Sequence, residues 1–206
     1  MKKAFTMLLP GAASTATMMM MNIEPMRRTF VAIAMIALGC AASGVTAKPV
    51  IQEEVLWVTS GSVENLTAKA ESIVRVSVLA SKTVTITSPA SPSIPAVWTE
   101  HEVKILEVMK GSGRKGSTFR VLQKAGTVEL SDFIVTVSDV QPFHPGDELL
   151  LFLTWYPTGN AFTPAADGAF YVENHRLRPH LPSATTKALA GLTVQEAAEV
   201  IRRVGR

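Results

Sequence analysis

The segment Ile73-Val74-Arg75-Val76-Ser77-Val78-Leu79, continued by Thr83-Val84-Thr85-Ile86-Thr87, constrains the fold of this chain more than any other. Apolar residues recur at every second position, with Val74, Val76 and Val78 on one face, a period that suits a pleated strand. The β-branched residues add to that preference. One long or bent strand is expected here. A second is expected from Glu102 to Met109, where Val103 and Ile105 share a face, ending at Lys110-Gly111. Between them, Ser88 to Pro95 carries prolines at 89, 92 and 95, which remove ladder donors and predict an extended surface loop. A Pro-rich ligand for another protein is the other reading of that stretch.

Downstream, Gly111-Ser112-Gly113-Arg114-Lys115-Gly116 turns the chain into Ser117 to Gln123, where Phe119 and Val121 alternate with polar residues. Ser117 stands where a phosphate-binding loop needs its lysine, so a hairpin loop is expected. Phe133 to Val137 reads as a short strand, and Pro145-Gly146 as the centre of a type II turn. The following Glu148-Leu149-Leu150-Leu151-Phe152-Leu153 is apolar on both faces and must be covered twice. Its outer cover is expected to be a helix over 193–205, opened by the capping box Thr193-Val194-Gln195-Glu196 and lined by Ala197, Ala198, Ile201 and Val204. A helix is also expected around Val63 to Ala70.

The N-terminal part of the 206 residues reads differently. Met26-Arg27-Arg28 is a positive start, Thr29 to Leu38 is apolar, and Val45-Thr46-Ala47 is a small-residue cleavage signature. Residues 1–47 are therefore expected to be a signal segment, with translation beginning near Met26 and the working domain spanning 48–206. The paired arginines fit Sec export, with a twin-arginine route as the alternative. Ala37-Leu38-Gly39-Cys40 loosely matches a lipobox, which would make Cys40 a lipidation site. The expected destination is periplasmic or secreted, with membrane contact only through the signal segment or that lipid anchor.

Of the 20 Lys+Arg and 17 Asp+Glu, the leader holds Lys2, Lys3, Arg27, Arg28 and Glu24, which leaves 16 of each in the domain. Such a balance gives no sign of nucleic-acid binding, which calls for a basic patch or stripe. Cys40 is the only cysteine, so no intramolecular disulfide forms and stability must come from a packed core. A domain of this size can bury about 70% of its unfolded surface without staples.

The order of helix, Ser72-Ile73-Val74-Arg75-Val76-Ser77-Val78, Val103-Lys104-Ile105-Leu106-Glu107-Val108-Met109-Lys110-Gly111 and Pro145-Gly146-Asp147-Glu148-Leu149-Leu150-Leu151-Phe152-Leu153 resembles the netrin-module and tissue-inhibitor-of-metalloproteinase superfamily over roughly Val63 to Phe170. The resemblance implies a mainly β domain: an OB-like five-stranded antiparallel barrel with a short N-terminal helix and a C-terminal amphipathic helix. The animal inhibitors chelate a protease zinc through an N-terminal cysteine. This bacterial-type chain has no cysteine after position 40, so that activity does not carry over.

The four histidines, His101, His144, His175 and His180, read as scattered surface residues. The alternative is a metal-dependent or other hydrolase using Glu173, His175 and His180, although their spacing matches no zinc signature. Asp132, Asp139, Asp147 and Asp167 lie near turns, and no carboxylate pair is placed for acid–base work. The late aromatics read as the packed core of an end-capping loop, and the other reading makes Tyr156, Phe162 and Tyr171 a candidate ligand-binding rim. Alternation past Leu149, Leu151 and Leu153 would turn Trp155 inward and Tyr156 outward. The function expected is a non-enzymatic binding or inhibitor-like module of the cell envelope, without a cofactor, its partner an envelope protein or another extracellular ligand.

Overall fold

The computed structural model describes residues 31–36, 48–55, 58–88, 91–137 and 140–205. The expected leader lies outside the described residues apart from β1 (Val31–Ile36), which pairs antiparallel with β2 (Val50–Val55). Met26 and Cys40 are outside them as well.

The architecture is mainly β, organised around a ring-like sheet. Its largest component is a hairpin of β3 (Ser72–Ser88) and β4 (Ser91–Lys110), as the alternating stretch requires. Four register shifts interrupt this hairpin. Such irregularities bend strands and increase twist. The first half of β3 pairs on its other side with β8 (Glu148–Tyr156). On the far side of β4 lies β5 (Thr118–Gln123), followed by β9 (Ala161–Glu173), which pairs back onto β8. Five strands thus close in the order β3-β4-β5-β9-β8. Four seams are antiparallel, whereas β5 meets β9 in parallel at Val121 and Phe162. The expectation of a wholly antiparallel ring is corrected at that seam, because β9 returns to β5 only after β8 has intervened. A short β10 (Arg176–Pro179) extends β9 beyond the ring.

The loop expected over Ser88 to Pro95 is shorter than its prolines suggested, since β4 already begins at Ser91. Pairing passes from Ile86 opposite Ala96 to Ser88 opposite Ser91, so Pro92 and Pro95 fall in the register shift between the two. No ladder donor is required of them there. The later turn follows expectation: Gly146 has φ +94°, and the Asp147 amide donates to the His144 carbonyl at 3.0 Å. At the other end of the hairpin, Gly111 has φ +88°, and a Cβ there would stand 2.6 Å from the Glu71 carbonyl oxygen.

Inside the ring, Val74, Val76 and Val78 meet Val103, Val121, Leu149, Leu151 and Leu153. The opposite faces carry Ile73, Leu150, Phe152 and Phe170, which are covered by α1 (Val63–Lys69) and α3 (Val194–Val204). A short α2 (Ala184–Lys187) adds Leu189 just beyond its end to the same cluster. The capping box is present, with the Glu196 amide donating to Thr193 Oγ1 at 3.2 Å and the Thr193 amide to Glu196 Oε2 at 2.7 Å. No helix among the described residues is long and apolar enough to cross a membrane.

A second sheet, not expected from the sequence, has the order β1-β2-β7-β6, with β6 (Gly126–Glu129) antiparallel and β2 parallel to β7 (Ile134–Val137). It packs Ile51, Val135 and Val137 against Val97 of β4. This places β2 beside the end of the ring where β8 and β9 turn.

Candidate functional site

Where the second sheet approaches the ring, a cleft of about 450 Å3 opens. Its walls come from β2 (Glu53, Val55), β4 (Ala96, Trp98), the end of β5 (Gln123, Lys124), the last residue of β8 (Tyr156) and β9 (Thr163 to Ala166). Strand parity explains the two residues from β4. Val97, Thr99, His101 and Val103 turn inward and are buried, so Ala96 and Trp98 face the other way. The Trp98 and Tyr156 rings stack with centroids 4.9 Å apart and planes 29° apart.

Beside that stack is a buried ion pair. Lys124 Nζ lies 2.7 Å from Glu53 Oε1 and 2.8 Å from Oε2, and 5.1 Å from the Trp98 ring centre. The side chains are 9% and 8% exposed, so neither charge has bulk water as its partner. Burial pushes the Lys124 ammonium below the usual lysine range, while Glu53 opposes that shift. An ion pair this deep tolerates loss of one member poorly, because the other charge is left uncompensated.

A hydrogen-bonded chain runs from the interior to the cleft wall. Gln123 Oε1 accepts from the Phe143 amide at 2.9 Å, and Gln123 Nε2 donates to the Gln141 carbonyl at 3.0 Å, which fixes the orientation of the carboxamide. The remaining directions follow from that orientation. His101 Nε2 carries the hydrogen donated to Gln123 Oε1 at 3.0 Å, and its Nδ1 lies 2.8 Å from Ser81 Oγ, whose one hydrogen also has the Phe143 carbonyl within reach at 3.2 Å. Gln123 Nε2 donates its second hydrogen to His180 Nε2 at 3.1 Å, leaving His180 Nδ1 to donate to Tyr171 Oη at 3.2 Å. The His180 imidazole, accepting at Nε2, is therefore neutral, and burial keeps that of His101 neutral as well. Burial holds each well below the ordinary 6.5, at about 4; for His180 the nearby Arg178 acts in the same direction. Burial also raises the Tyr171 phenol.

Ser81 and His101 have the spacing of a nucleophile and its base, but the pair is not equipped for that role. An imidazole held near 4 is a poor acceptor for a serine proton at neutral pH, and the uncharged Gln123 offers little stabilisation to an imidazolium. Ser81 is also not among the residues of the cleft wall.

The aromatics expected to share a rim are separated. Tyr156 is in the cleft, whereas Phe162 packs edge-on against Phe119 and Trp155, with ring centres 5.9 and 5.2 Å away. Tyr171 terminates the hydrogen-bonded chain and sits opposite Leu149, while Phe162 sits opposite Trp155. Trp155 is six residues along β8 from Leu149, roughly 20 Å of strand. The expected inward Trp155 and outward Tyr156 are corrected: Trp155 is 42% exposed, and Tyr156 is half-buried on Trp98. The inside of the ring ends at Leu153, so parity beyond it no longer points a side chain into a core.

Glu173, His175 and His180 are also apart. Glu173 pairs with Arg178 at 2.7 Å, His175 is exposed in the β9–β10 turn with φ +65°, and His180 belongs to the Gln123 chain. Among the described residues, no three of His, Cys, Asp and Glu come together as a metal-holding group. His101 is wholly buried, contrary to the surface reading of the histidines. Its inward parity with Val103 could have revealed this, as the parity of Gln123 with Phe119 and Val121 could have done. No comparable signal marks Glu53, Trp98 or Lys124, which converge from separate strands and the end of β5.

No protein-family model matches the chain, and no curated protein matches it.

Proposed function

We propose that this chain is an exported, non-enzymatic binding module of the cell envelope, built on an OB-like barrel and taking its ligand in the Trp98–Tyr156 cleft. The cleft carries the proposal: its volume falls in the small-molecule range of about 300–1,000 Å3, and apolar and aromatic walls surround a few polar groups. The ring order supports the barrel reading. OB-folds bind with their second and third strands and the loop joining the fourth and fifth. Here those elements are β4, β5 and the Pro157–Gly159 turn, and residues from both strands and from either side of that turn line the cleft. The same helix-and-ring order supports the netrin-like resemblance. Architecture leaves the ligand open, so the site must supply it.

Export is tested by the intact mass of the protein recovered outside the cytoplasm. A chain beginning at Lys48 is expected, a diacylated chain beginning at Cys40 would establish the lipoprotein form, and an uncleaved cytoplasmic product would refute export. Binding is tested by native mass spectrometry of that exported protein. A small-molecule adduct, released on denaturation, should be lost in Ala96→Phe, which fills the cleft, and weakened by ~2 kcal/mol or more in Tyr156→Ala, which removes one ring of the stack. An adduct unaffected by both substitutions would place the ligand elsewhere.

A further inference from the structure

We infer that the cleft selects uncharged, largely apolar small molecules and discriminates against ions of either sign, an inference that rests on the cleft being the binding site. Its apolar wall includes Val55, Val140, Pro164, Ala165 and Leu181, beside the Trp98–Tyr156 stack. The charged and amide groups in the same wall already have partners inside the protein, and the one buried donor left over, Trp98 Nε1, is uncharged. Gln123 uses its oxygen for Phe143 and His101 and its amide hydrogens for Gln141 and His180. His180 uses both ring nitrogens. Glu53 and Lys124 cancel each other's charge across two contacts below 3 Å. Thr163 adds a neutral hydroxyl.

An entering ion gives up its hydration and meets no unpaired opposite charge, so its desolvation is uncompensated unless it breaks the Glu53–Lys124 pair. An alkyl or aryl group loses little by entering and gains contact with the apolar wall. The ion pair therefore acts as a charge-neutral part of the wall. Removing either half should change the ligand class, because the remaining charge then needs a counter-ion.

The test uses the exported protein at pH 7.5 with the uncharged fluorophore N-phenyl-1-naphthylamine, displaced in turn by decan-1-ol, decanoate and decylammonium. Saturable probe binding is expected, with decan-1-ol displacing the probe at least tenfold more effectively than either ion. A preference for one of the ions would overturn the inferred ligand class while leaving the cleft as a binding site. Absence of saturable probe binding would also overturn the class, whereas the adduct measurement judges the site independently. Lys124→Met should shift the preference at least tenfold toward decylammonium, and Glu53→Gln toward decanoate. The double variant Glu53→Gln/Lys124→Met removes both charges together and should retain the preference for decan-1-ol even if a single variant fails to fold. A folded single variant with the original ranking, or a double variant that favours an ion, would overturn the role assigned to the pair.

Discussion

Deleting residues 193–206 is expected to leave the domain largely unfolded at room temperature. The deletion removes α3 with its buried Val194, Ala197 and Ile201, and uncovers a face containing Ile73, Leu150, Phe152 and Phe170, each wholly buried in the intact protein. Burying one large apolar side chain contributes ~1.5–3 kcal/mol, so loss of cover over several of them approaches the ~5–15 kcal/mol by which a domain is stable. Urea unfolding of the truncated chain should show no cooperative transition, or one with its midpoint far lower. Two point variants separate packing from helix loss in general: Ile201→Ala should cost ~2–5 kcal/mol, while Arg203→Ala, exposed on the same helix, should stay within ~0.5 kcal/mol. Equal effects of the two would refute the packing of α3 into the apolar cluster it shares with α1 and β8.

Acid is expected to destabilise the fold through His101. In the unfolded chain this imidazole takes up a proton near 6.5, but the folded chain refuses it until about 4. The unfolded state thus binds more protons between those values, and stability falls as pH is lowered through that window. The contribution is intact above about 6.5 and lost below about 4. For a wholly buried group this amounts to about 3 kcal/mol. His180 acts in the same direction, and its geometry adds a reason: a hydrogen on Nε2 would face the Gln123 amide, itself a donor. Unfolding midpoints should hold from pH 7.5 to about 6.5 and decline from there to pH 4, and His101→Phe, which cannot titrate, should flatten the curve. A midpoint independent of pH over that range would be incompatible with the neutral chain of side chains described here.

Local sequence determined the elements that carry their own periodicity or caps. Alternating β-branched residues require a strand over Ser72–Ser88 whatever surrounds it, Thr193 and Glu196 satisfy their own helix start, and Pro145-Gly146 makes its turn unaided. The two-faced apolar run of β8 also implied a cover on each side, which the ring interior provides on one side and α1 with α3 on the other. Weak local signals were lost: β2 contains Gln52, Glu53 and Glu54, and β6 is only four residues long, so neither reads as a strand by itself. Only tertiary structure decided the cleft. Glu53 lies 71 residues from Lys124, and Trp98 meets Tyr156 from a different strand, so neither the ion pair nor the stack leaves a periodic trace in the chain. His101 and Gln123 were legible as inward positions on their strands. That they join Ser81, His180 and Tyr171 in one neutral chain depends on strand pairing that brings distant donors and acceptors within 3.2 Å, where burial obliges each of them to find a partner.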